Sequence, residues 1–294
     1  MQMRPKRIDR LLNPNERIQI PGGRKVLREI LAGGQSFLWG EVQNNRWRGV
    51  HLGKAYEVDL DDDNMLTVSC LTPGTDYTSE AISQYFGCQK PFLEYSDSLP
   101  WRSDKVLEQA IRGFPGLRIL RQCPEVTLLS FLLSPQKRIE QIRVGLLKIS
   151  SNWGDSILEG LYAPPSWDRL STVEEIELRS CGIGYRAKSI ARTARFLADH
   201  PGYLHKIESL PTEEARERLL QLPGVGRKIA DCVLLFSYGR LESFPIDTWI
   251  GRFMRESYGL DDYTDDQIQT FARAHFGENA GLAQQYFFAA ARNG

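Results

Sequence analysis

The sequence lacks the cysteine spacing of a metal cluster or of a disulfide framework. Its five cysteines are odd in number, lie far apart and never form a CxxC pair. Zinc and iron–sulfur sites need closely spaced thiolates, so neither an iron–sulfur cluster nor a zinc site is expected. Unpaired thiols also fit a reducing, intracellular compartment better than an oxidising one.

Three other signatures are missing. No run approaches about 18 consecutive apolar residues, so neither a membrane-spanning helix nor a membrane partner is expected. Residues 1–7 lack the apolar core of a signal peptide. Neither an HExxH metal pair nor a GxxxxGK(S/T) phosphate loop is present. These absences predict a cytoplasmic protein, associated with the nucleoid in a prokaryotic cell.

The chain also has no net charge, because 37 basic residues balance 37 acidic ones. Taken alone, that balance argues mildly against a nucleic-acid partner. The total hides blocks of opposite sign: residues 101–150 carry 9 basic and 4 acidic side chains, and residues 31–100 carry 4 and 10. A polyanion is bound by a local patch rather than by the total charge. Chance unevenness of helix faces is the alternative interpretation.

The N-terminal part has the pattern of a small antiparallel β domain. Its short segments alternate apolar and polar residues and are separated by turn signals, which is typical of an antiparallel meander. A short helix is predicted before these segments, over residues 25–31. The predicted strands cover residues 36–42, 47–52, 55–60 and 65–70.

The pattern becomes helical from Thr78, and helices dominate after Pro100. Thr172 with Glu175 and Thr264 with Gln267 have the spacing of capping boxes, which predicts helix starts at both places. We therefore expect an α+β fold. A β-rich N-terminal domain, residues 1–100, packs on a larger all-α domain, residues 101–294.

The most informative segment is Leu-Pro-Gly-Val-Gly at residues 222–226. One predicted helix stops there, Gly224 and Gly226 allow a tight reversal, and a second helix begins at once. Glycines let the backbone approach a ligand, and the free N–H groups of a helix start suit a phosphate. This helix–hairpin–helix pattern binds a DNA backbone without reading sequence. A purely structural turn is the alternative.

Lys228 lies in the first turn of the second helix, where the helix dipole and the neighbouring Arg227 disfavour a positive charge. A lysine in that position can act as a neutral nucleophile, although a phosphate-binding role is the alternative. Asp247 follows 19 residues later, after a glycine–proline loop that ends at Pro245. A returning loop can bring the carboxylate to the amine, although Asp is also a common N-cap.

The segments around Lys228 and Asp247, LPGVGRKIADC and FPIDTWI, resemble the helix–hairpin–helix/Gly-Pro-Asp superfamily of DNA glycosylases. The match covers roughly residues 120–290. Three further motifs are similar to those of the 8-oxoguanine DNA glycosylase branch and extend the resemblance over nearly the whole chain. They are Gly-Gln-Ser-Phe-Leu-Trp at 34–39, Gly-Ile-Gly-Tyr-Arg-Ala at 182–187 and Ala-Gly-Leu-Ala-Gln-Gln at 280–285.

The resemblance implies a bifunctional glycosylase/AP lyase that flips the lesion out of duplex DNA. Lys228 would attack C1′ to form a Schiff base, and Asp247 would stabilise the developing positive charge. The carbonyl of Gly34 would accept the N7–H that 8-oxoguanine has and guanine lacks. The other implied pocket residues are Cys232, Gln284, Phe288 and Pro245. Cys232 and Phe288 are core residues in the alternative interpretation.

The resemblance also implies a DNA interface and a set of carbonyls that hold a structural monovalent cation. The implied DNA contacts are Gly224, Val225, Gly226, Arg227, Gln136, Lys137, Arg138, Tyr185, Arg186 and Trp249. The implied cation carbonyls belong to Leu220, Leu222 and Val225. No catalytic metal or other cofactor is expected, and the protein is expected to be a monomer that binds damaged duplex DNA.

Two departures from the family pattern bear on specificity. Gln141 stands where the eukaryotic branch has a second arginine that contacts the opposite cytosine, so a strict cytosine preference is not expected. Trp249 stands where a phosphate-contacting histidine is common. Two alternatives to 8-oxoguanine excision stay open: excision of a different damaged purine or of an alkylated base, and a non-catalytic helix–hairpin–helix DNA-binding protein. The pairing of Lys228 with Asp247 argues against the second, because phosphate binding requires neither.

Overall fold

The structure, a computed structural model, describes residues 18–73, 79–88 and 92–293. The N-terminal part is a five-stranded antiparallel sheet in the order β1-β5-β4-β3-β2. Residues 1–7 and the predicted helix start at Thr78 lie outside the described ranges. The strands are β1 (Ile18–Gln19), β2 (Trp39–Gln43), β3 (Arg46–His51), β4 (Lys54–Leu60) and β5 (Met65–Cys70).

Alternation of apolar and polar residues explains the sheet. Across β4 and β5, Val58 pairs with Val68 and Leu60 pairs with Leu66, and all four side chains are buried. Alternate residues of a strand lie on one face, so these pairs form one apolar surface. The four predicted strands are confirmed with ends that shift by up to three residues. The two-residue β1 is too short to give a periodic signal.

Helices make up most of the remaining chain. One helix, α1, precedes β2, and the others follow the sheet. The helices are α1 (Gly23–Ala32), α2 (Ser79–Tyr85), α3 (Phe92–Asp97), α4 (Lys105–Gly113), α5 (Pro124–Leu132), α6 (Ile139–Trp153), α7 (Trp167–Ser171), α8 (Glu175–Leu178), α9 (Arg186–Asp199), α10 (Tyr203–Ile207), α11 (Thr212–Leu220), α12 (Arg227–Phe236), α13 (Thr248–Tyr258), α14 (Asp265–Phe276) and α15 (Ala280–Asn293).

The α+β class is therefore confirmed, with two corrections of detail. The C-terminal part is not entirely helical, because β6 (Ser156–Leu158) and β7 (Leu161–Tyr162) form a small antiparallel hairpin. The capping box at Thr264 is present, but the one expected at Thr172 is wrong. Thr172 ends α7, and Glu174 caps α8 instead, because helix α7 extends into the segment that was expected to start a helix.

The buried apolar side chains form two clusters. One lies among the central helices α5, α6, α9, α11 and α12. The other joins the sheet and α1 to α4 and to the C-terminal helices α13, α14 and α15. The sheet thus shares its core with the last helices of the chain, which brings residues near position 34 close to residues near position 288. None of the described helices is long and apolar enough to cross a membrane.

Candidate active site and nucleic-acid interface

The reversal between α11 and α12 depends on its glycines. Gly224 adopts a φ of +80°, and a Cβ there would lie 2.4 Å from the Ser189 hydroxyl oxygen, so only glycine fits. Gly226 is the extended N-cap of α12, and no side chain caps that helix start. The start of α12 therefore presents backbone N–H groups and the positive end of the helix dipole without a side-chain partner.

A cleft of about 1350 Å³ opens in front of this helix start. It brings together residues from the hairpin, from the loop between α5 and α6, and from the start of α13. Ten of the residues that the sequence singled out line it: Gln136, Lys137, Arg138, Gln141, Gly224, Gly226, Arg227, Lys228, Asp247 and Trp249. Gln136 has a φ of +53°, which turns the chain sharply at the cleft edge. Trp249 is 58% exposed.

Lys228 extends from the first turn of α12 toward the end of α5. Its Nζ donates a hydrogen bond to the Ser134 hydroxyl at 3.2 Å and lies 4.9 Å from the centre of the Phe131 ring. The Ser134 hydroxyl in turn donates to the Phe131 carbonyl at 2.7 Å. Among the described residues, no carboxylate forms an ion pair with Lys228, so its amine is not held by a counter-charge.

Asp247 lies at the start of α13 and caps it, accepting a hydrogen bond from the Ile250 N–H at 2.9 Å. Its electrostatic effect reaches Cys232, one turn beyond Lys228 on α12. Burial raises the pKa of the Cys232 thiol to about 12, with Asp231 and Asp247 adding to the rise and Lys228 opposing it. Lys228 and Cys232 lie one turn apart on α12, and Lys228 and Asp247 both line the cleft.

Gly34 lies beside Phe288, as the shared core predicts. It adopts a φ of +109°, and a Cβ there would lie 3.1 Å from Ile139 Cδ1 and 3.5 Å from Phe288 Cε1. An L side chain would thus be strained and would fill the space next to the Phe288 ring. Gly34 and Phe288 are thus neighbours, and their roles in base recognition stay predictions.

The residue after Gly34 is fixed by three hydrogen bonds. The Gln35 side chain, 2% exposed, donates to the Arg118 carbonyl at 2.8 Å and accepts from the Leu120 N–H at 2.9 Å. Its own carbonyl accepts from the Gln122 side chain at 2.7 Å. Buried hydrogen bonds of this kind are costly to break because each leaves an unpaired polar group. They hold the backbone at Gly34 in one position.

Gln284 and Pro245, also expected in the pocket, contact each other. The buried Gln284 side chain donates to the Pro245 carbonyl at 3.1 Å, and its oxygen accepts from the Gln285 side chain at 2.7 Å. These bonds join α15 to the loop that leads into Asp247. A base edge that binds Gln284 must therefore share or replace them.

Tyr185 and Arg186 behave differently from each other. Tyr185 is 53% exposed, whereas Arg186 is 5% exposed. The Arg186 guanidinium lies 4.5 Å from the Tyr185 ring, donates to the Pro135 carbonyl at 2.9 Å and donates to the Ile183 carbonyl at 3.1 Å. Arg186 thus anchors the loop between α5 and α6. Its predicted contact with an opposite base stays a prediction, since these bonds would have to open.

The carbonyls expected to hold a cation lie in the turn before α12. The Leu222 carbonyl accepts a hydrogen bond from the Val225 N–H at 3.0 Å, while the Leu220 side chain is 42% exposed.

Gln141 caps α6, because its side-chain oxygen accepts from the Arg138 N–H at 3.1 Å. In the part of the chain that the structure describes, no cluster of His, Cys, Asp or Glu could hold a metal ion.

Sequence reasoning missed the partners that position α12. The Arg216 Nε donates to Asp231 at 2.7 Å, and the Gln269 side chain donates to the other Asp231 oxygen at 2.6 Å. Gln269 also accepts from Arg227 at 2.9 Å, so α11, α12 and α14 are joined next to Lys228. One signal was present: Asp231 interrupts an otherwise apolar helix. Ser134 gave none, since it lies 94 residues before Lys228.

Several known proteins are similar to this chain in sequence and in fold. The family model for the 8-oxoguanine DNA glycosylase N-terminal domain matches residues 17–128. The N-glycosylase/DNA lyase OGG1 of Arabidopsis thaliana is 31% identical over 276 residues, 87% of this chain and 74% of that protein. A probable N-glycosylase/DNA lyase of Methanothermobacter thermautotrophicus is 43% identical over 116 residues, which is 40% of this chain and 37% of that protein.

The crystal structure of Clostridium acetobutylicum 8-oxoguanine glycosylase/lyase, in complex with double-stranded DNA containing cytosine opposite the lesion, has a similar fold. Its TM-score is 0.84 at 31% identity, with 91% of each chain covered. The match thus includes the sheet and the helical part together. The chain belongs to the 8-oxoguanine DNA glycosylase branch of the helix–hairpin–helix/Gly-Pro-Asp superfamily of DNA glycosylases.

Proposed function

We propose that this protein is a bifunctional DNA glycosylase/AP lyase that excises 8-oxoguanine from duplex DNA, with Lys228 as nucleophile. The observation that carries the proposal is that Lys228 and Asp247 line one cleft, in front of the uncapped start of α12. A phosphate-binding hairpin alone needs neither a carboxylate nor a lysine whose amine lacks an acidic partner. The relatives named N-glycosylase/DNA lyase support the same chemistry.

The reaction begins with extrusion of the damaged nucleotide, because its glycosidic bond cannot be reached while the base is stacked. The lone pair of Lys228 Nζ then forms a bond to C1′ as the C1′–N9 bond breaks and its electrons leave with the base. The attached nitrogen loses a proton, and its lone pair then forms the C1′=N double bond of the Schiff base as the C1′–O4′ bond breaks. The electrons of that bond go to O4′, which takes up a proton as the sugar ring opens. Loss of a C2′ proton then expels the 3′ phosphate by β-elimination, which nicks the strand.

Asp247 acts on the positive charge that develops at C1′. Its carboxylate is held in place because one oxygen caps α13 through the Ile250 N–H. A carboxylate that is already oriented stabilises an oxocarbenium-like centre without reorganisation during the reaction. Ser134 holds the Lys228 amine over the Phe131 ring, so the nucleophile is directed by one hydrogen bond rather than by an ion pair.

Lesion recognition is assigned to the space between Gly34, Phe288 and Cys232. The Gly34 carbonyl accepts the N7–H of 8-oxoguanine, and guanine leaves that acceptor unpaired because it has no proton there. An unpaired buried polar group costs about 1–3 kcal/mol, which is enough to discriminate the two bases. The Phe288 ring and the Cys232 thiol bound the base on its two faces, and Gln284 binds its Watson–Crick edge.

The DNA backbone is assigned to the cleft in front of α12. The uncapped N–H groups after Gly226 suit a phosphate, and Lys137 and Arg138 supply positive charge across the cleft. Tyr185 wedges the duplex and Gln136 fills the vacated stack. Gln141 stands where the eukaryotic branch has a second arginine that contacts the opposite cytosine, and its side chain caps α6 instead. Preference for cytosine is therefore relaxed.

Several properties follow as part of the proposal. The chemistry requires no cofactor and no iron–sulfur cluster, and the turn carbonyls of Leu220, Leu222 and Val225 hold a structural monovalent cation. The protein acts as a monomer on damaged duplex DNA in the cytoplasm. The division into a β domain of residues 1–100 and a helical domain of residues 101–294 belongs to the same proposal.

The test is base release and strand nicking on matched duplexes that carry either 8-oxoguanine or guanine. Lys228→Gln should abolish both products and retain binding, whereas Lys137→Gln should weaken binding and leave the single-turnover rate nearly unchanged. Duplexes with alkylated purines and with each of the four opposite bases belong in the same panel. Base release without nicking, or faster release of an alkylated purine than of 8-oxoguanine, would overturn the proposal.

A further inference from the structure

A second, smaller cavity of about 260 Å³ lies between the segment after α4, the end of α12 and the start of α15. It shares no lining residue with the cleft that contains Lys228. Most of its wall is apolar. The apolar side chains that line it are Leu117, Ile119, Leu120, Leu235, Leu241 and Leu282.

One charged side chain of this cavity is buried without a counter-charge. Arg118 is 9% exposed, and the hydrogen bond from its guanidinium to the Gly87 carbonyl is long, at 3.3 Å. Its Nε has no hydrogen-bond partner. Within the described ranges, no carboxylate forms an ion pair with it. A guanidinium has five N–H donors, so most of the donors of Arg118 lack a protein acceptor.

Burying a charge is costly unless an opposite charge and hydrogen bonds compensate it. The lining residues include no carboxylate and give Arg118 only the long hydrogen bond to the Gly87 carbonyl, although they supply abundant apolar surface. We propose that this cavity is a binding site for a small monocarboxylate with an apolar body. The carboxylate accepts hydrogen bonds from Arg118, and the apolar body packs against the leucine side chains.

The shape and polarity of the cavity define the ligand class. A volume of about 260 Å³ far exceeds what one water or one halide ion fills, and it lies just below the range of about 300–1,000 Å³ for drug-sized ligands. A guanidinium and a carboxylate match in planar, two-pronged geometry. Arg121 also lines the cavity, but its guanidinium is paired with Glu208 at 3.3 Å. A doubly charged phosphate is disfavoured, because the one guanidinium without a counter-charge, that of Arg118, cannot offset its desolvation.

One hydrogen bond connects the second cavity to the segment that carries Gly34. The carbonyl of Arg118 accepts the hydrogen bond from Gln35, the residue after Gly34. The side chain of Arg118 lines the second cavity, while its backbone holds the recognition loop. The proposal itself does not depend on the repair activity, since it concerns binding in a separate cavity.

Benzoate, a planar monocarboxylate, is the probe, and its neutral isostere benzamide is the control. Calorimetric titration of the full chain should show benzoate binding at one site, with benzamide at least about tenfold weaker, as expected for loss of a charged hydrogen bond. Arg118→Met should lower the affinity for benzoate by a similar factor. Arg102→Met, which removes an exposed arginine, should leave the affinity unchanged.

Leu241→Trp provides a second variant that fills the cavity while keeping Arg118, and it too should reduce benzoate affinity. Lys228→Gln should not, because the cleft is a separate space. Absence of benzoate binding to the unmodified protein would overturn the proposal. So would equal affinities for benzoate and benzamide, which can be measured even if Arg118→Met fails to fold.

Discussion

Lys228 Nζ donates a hydrogen bond to the Ser134 hydroxyl at 3.2 Å, across 94 residues of sequence. Ser134 lies in the loop after α5, and Lys228 lies in the first turn of α12, so the bond joins two segments that both line the cleft. The hydroxyl is itself oriented, because it donates to the Phe131 carbonyl. The nucleophile is therefore positioned by a neutral acceptor rather than by an ion pair.

Replacing that acceptor should slow catalysis without removing it. We expect Ser134→Ala to lower the single-turnover rate of base release by about tenfold, since a hydrogen bond to a charged group contributes about 1.5–3 kcal/mol. DNA affinity should change little. Ser151→Ala, in an exposed serine at the end of α6, is the matched control. An unchanged rate in Ser134→Ala would show that Ser134 does not position the amine.

Asp247 has two roles that conservative substitution separates. Asn is also a good N-cap, so Asp247→Asn should keep the start of α13 and lose only the charge. We expect a loss of base release of about a hundredfold or more with nearly unchanged thermal stability. Asp247→Ala should show the same loss and should also destabilise the fold by about 1 kcal/mol. Full activity in Asp247→Asn would contradict a role for the carboxylate.

Gly34 tests the position of the lesion pocket. The Cβ of Gly34→Ala would lie 3.1 Å from Ile139 Cδ1 and 3.5 Å from Phe288 Cε1, in the space assigned to the base. We expect KM for 8-oxoguanine duplex to rise by about tenfold or more, with strain at φ +109° adding a stability loss. Gly53→Ala is the control, because Gly53 has a φ of +70° and nothing within 4 Å. Equal effects of the two substitutions on KM would place the pocket elsewhere.

His51 should make the fold sensitive to mild acid. Burial lowers the pKa of the His51 imidazole from 6.5 to about 4. The unfolded chain then binds the proton more readily, so this contribution to stability is present above about pH 6.5 and is lost as the pH falls toward about 4. The free energy of unfolding, measured with urea, should fall between about pH 7 and about pH 5. We expect this fall to be roughly 2 kcal/mol smaller in His51→Phe than in the unmodified protein. Identical pH dependence in both proteins would contradict burial of a neutral His51.

Most of the fold could be predicted from local patterns in the sequence. The alternation in β4 and β5 identified both strands, because a half-buried strand places every second residue in the core. The capping box at Thr264 was found because its two hydrogen bonds depend on residues three apart. Thr172 had the same spacing, but the preceding helix α7 runs on to Ser171 and leaves Thr172 at its end. Spacing alone does not show whether a threonine between two helices ends the first helix or caps the start of the second.

The site divides in the same way. Lys228 and Asp247 belong to motifs of a few residues each, so sequence alone singled them out. Their supporting contacts connect distant segments: Gln35 is fixed by residues more than 80 positions away, and Asp231 is held by α11 and α14. Such contacts arise from tertiary packing, which no local period records.

The central claim is that Lys228 forms a covalent Schiff base with the sugar. Borohydride reduction during turnover of an 8-oxoguanine duplex should trap a protein–DNA adduct, and mass spectrometry of its peptides should place the bond at Lys228. Lys228→Gln should give no adduct while still binding the duplex. Active protein that yields no adduct, or an adduct on a different lysine, would contradict the account.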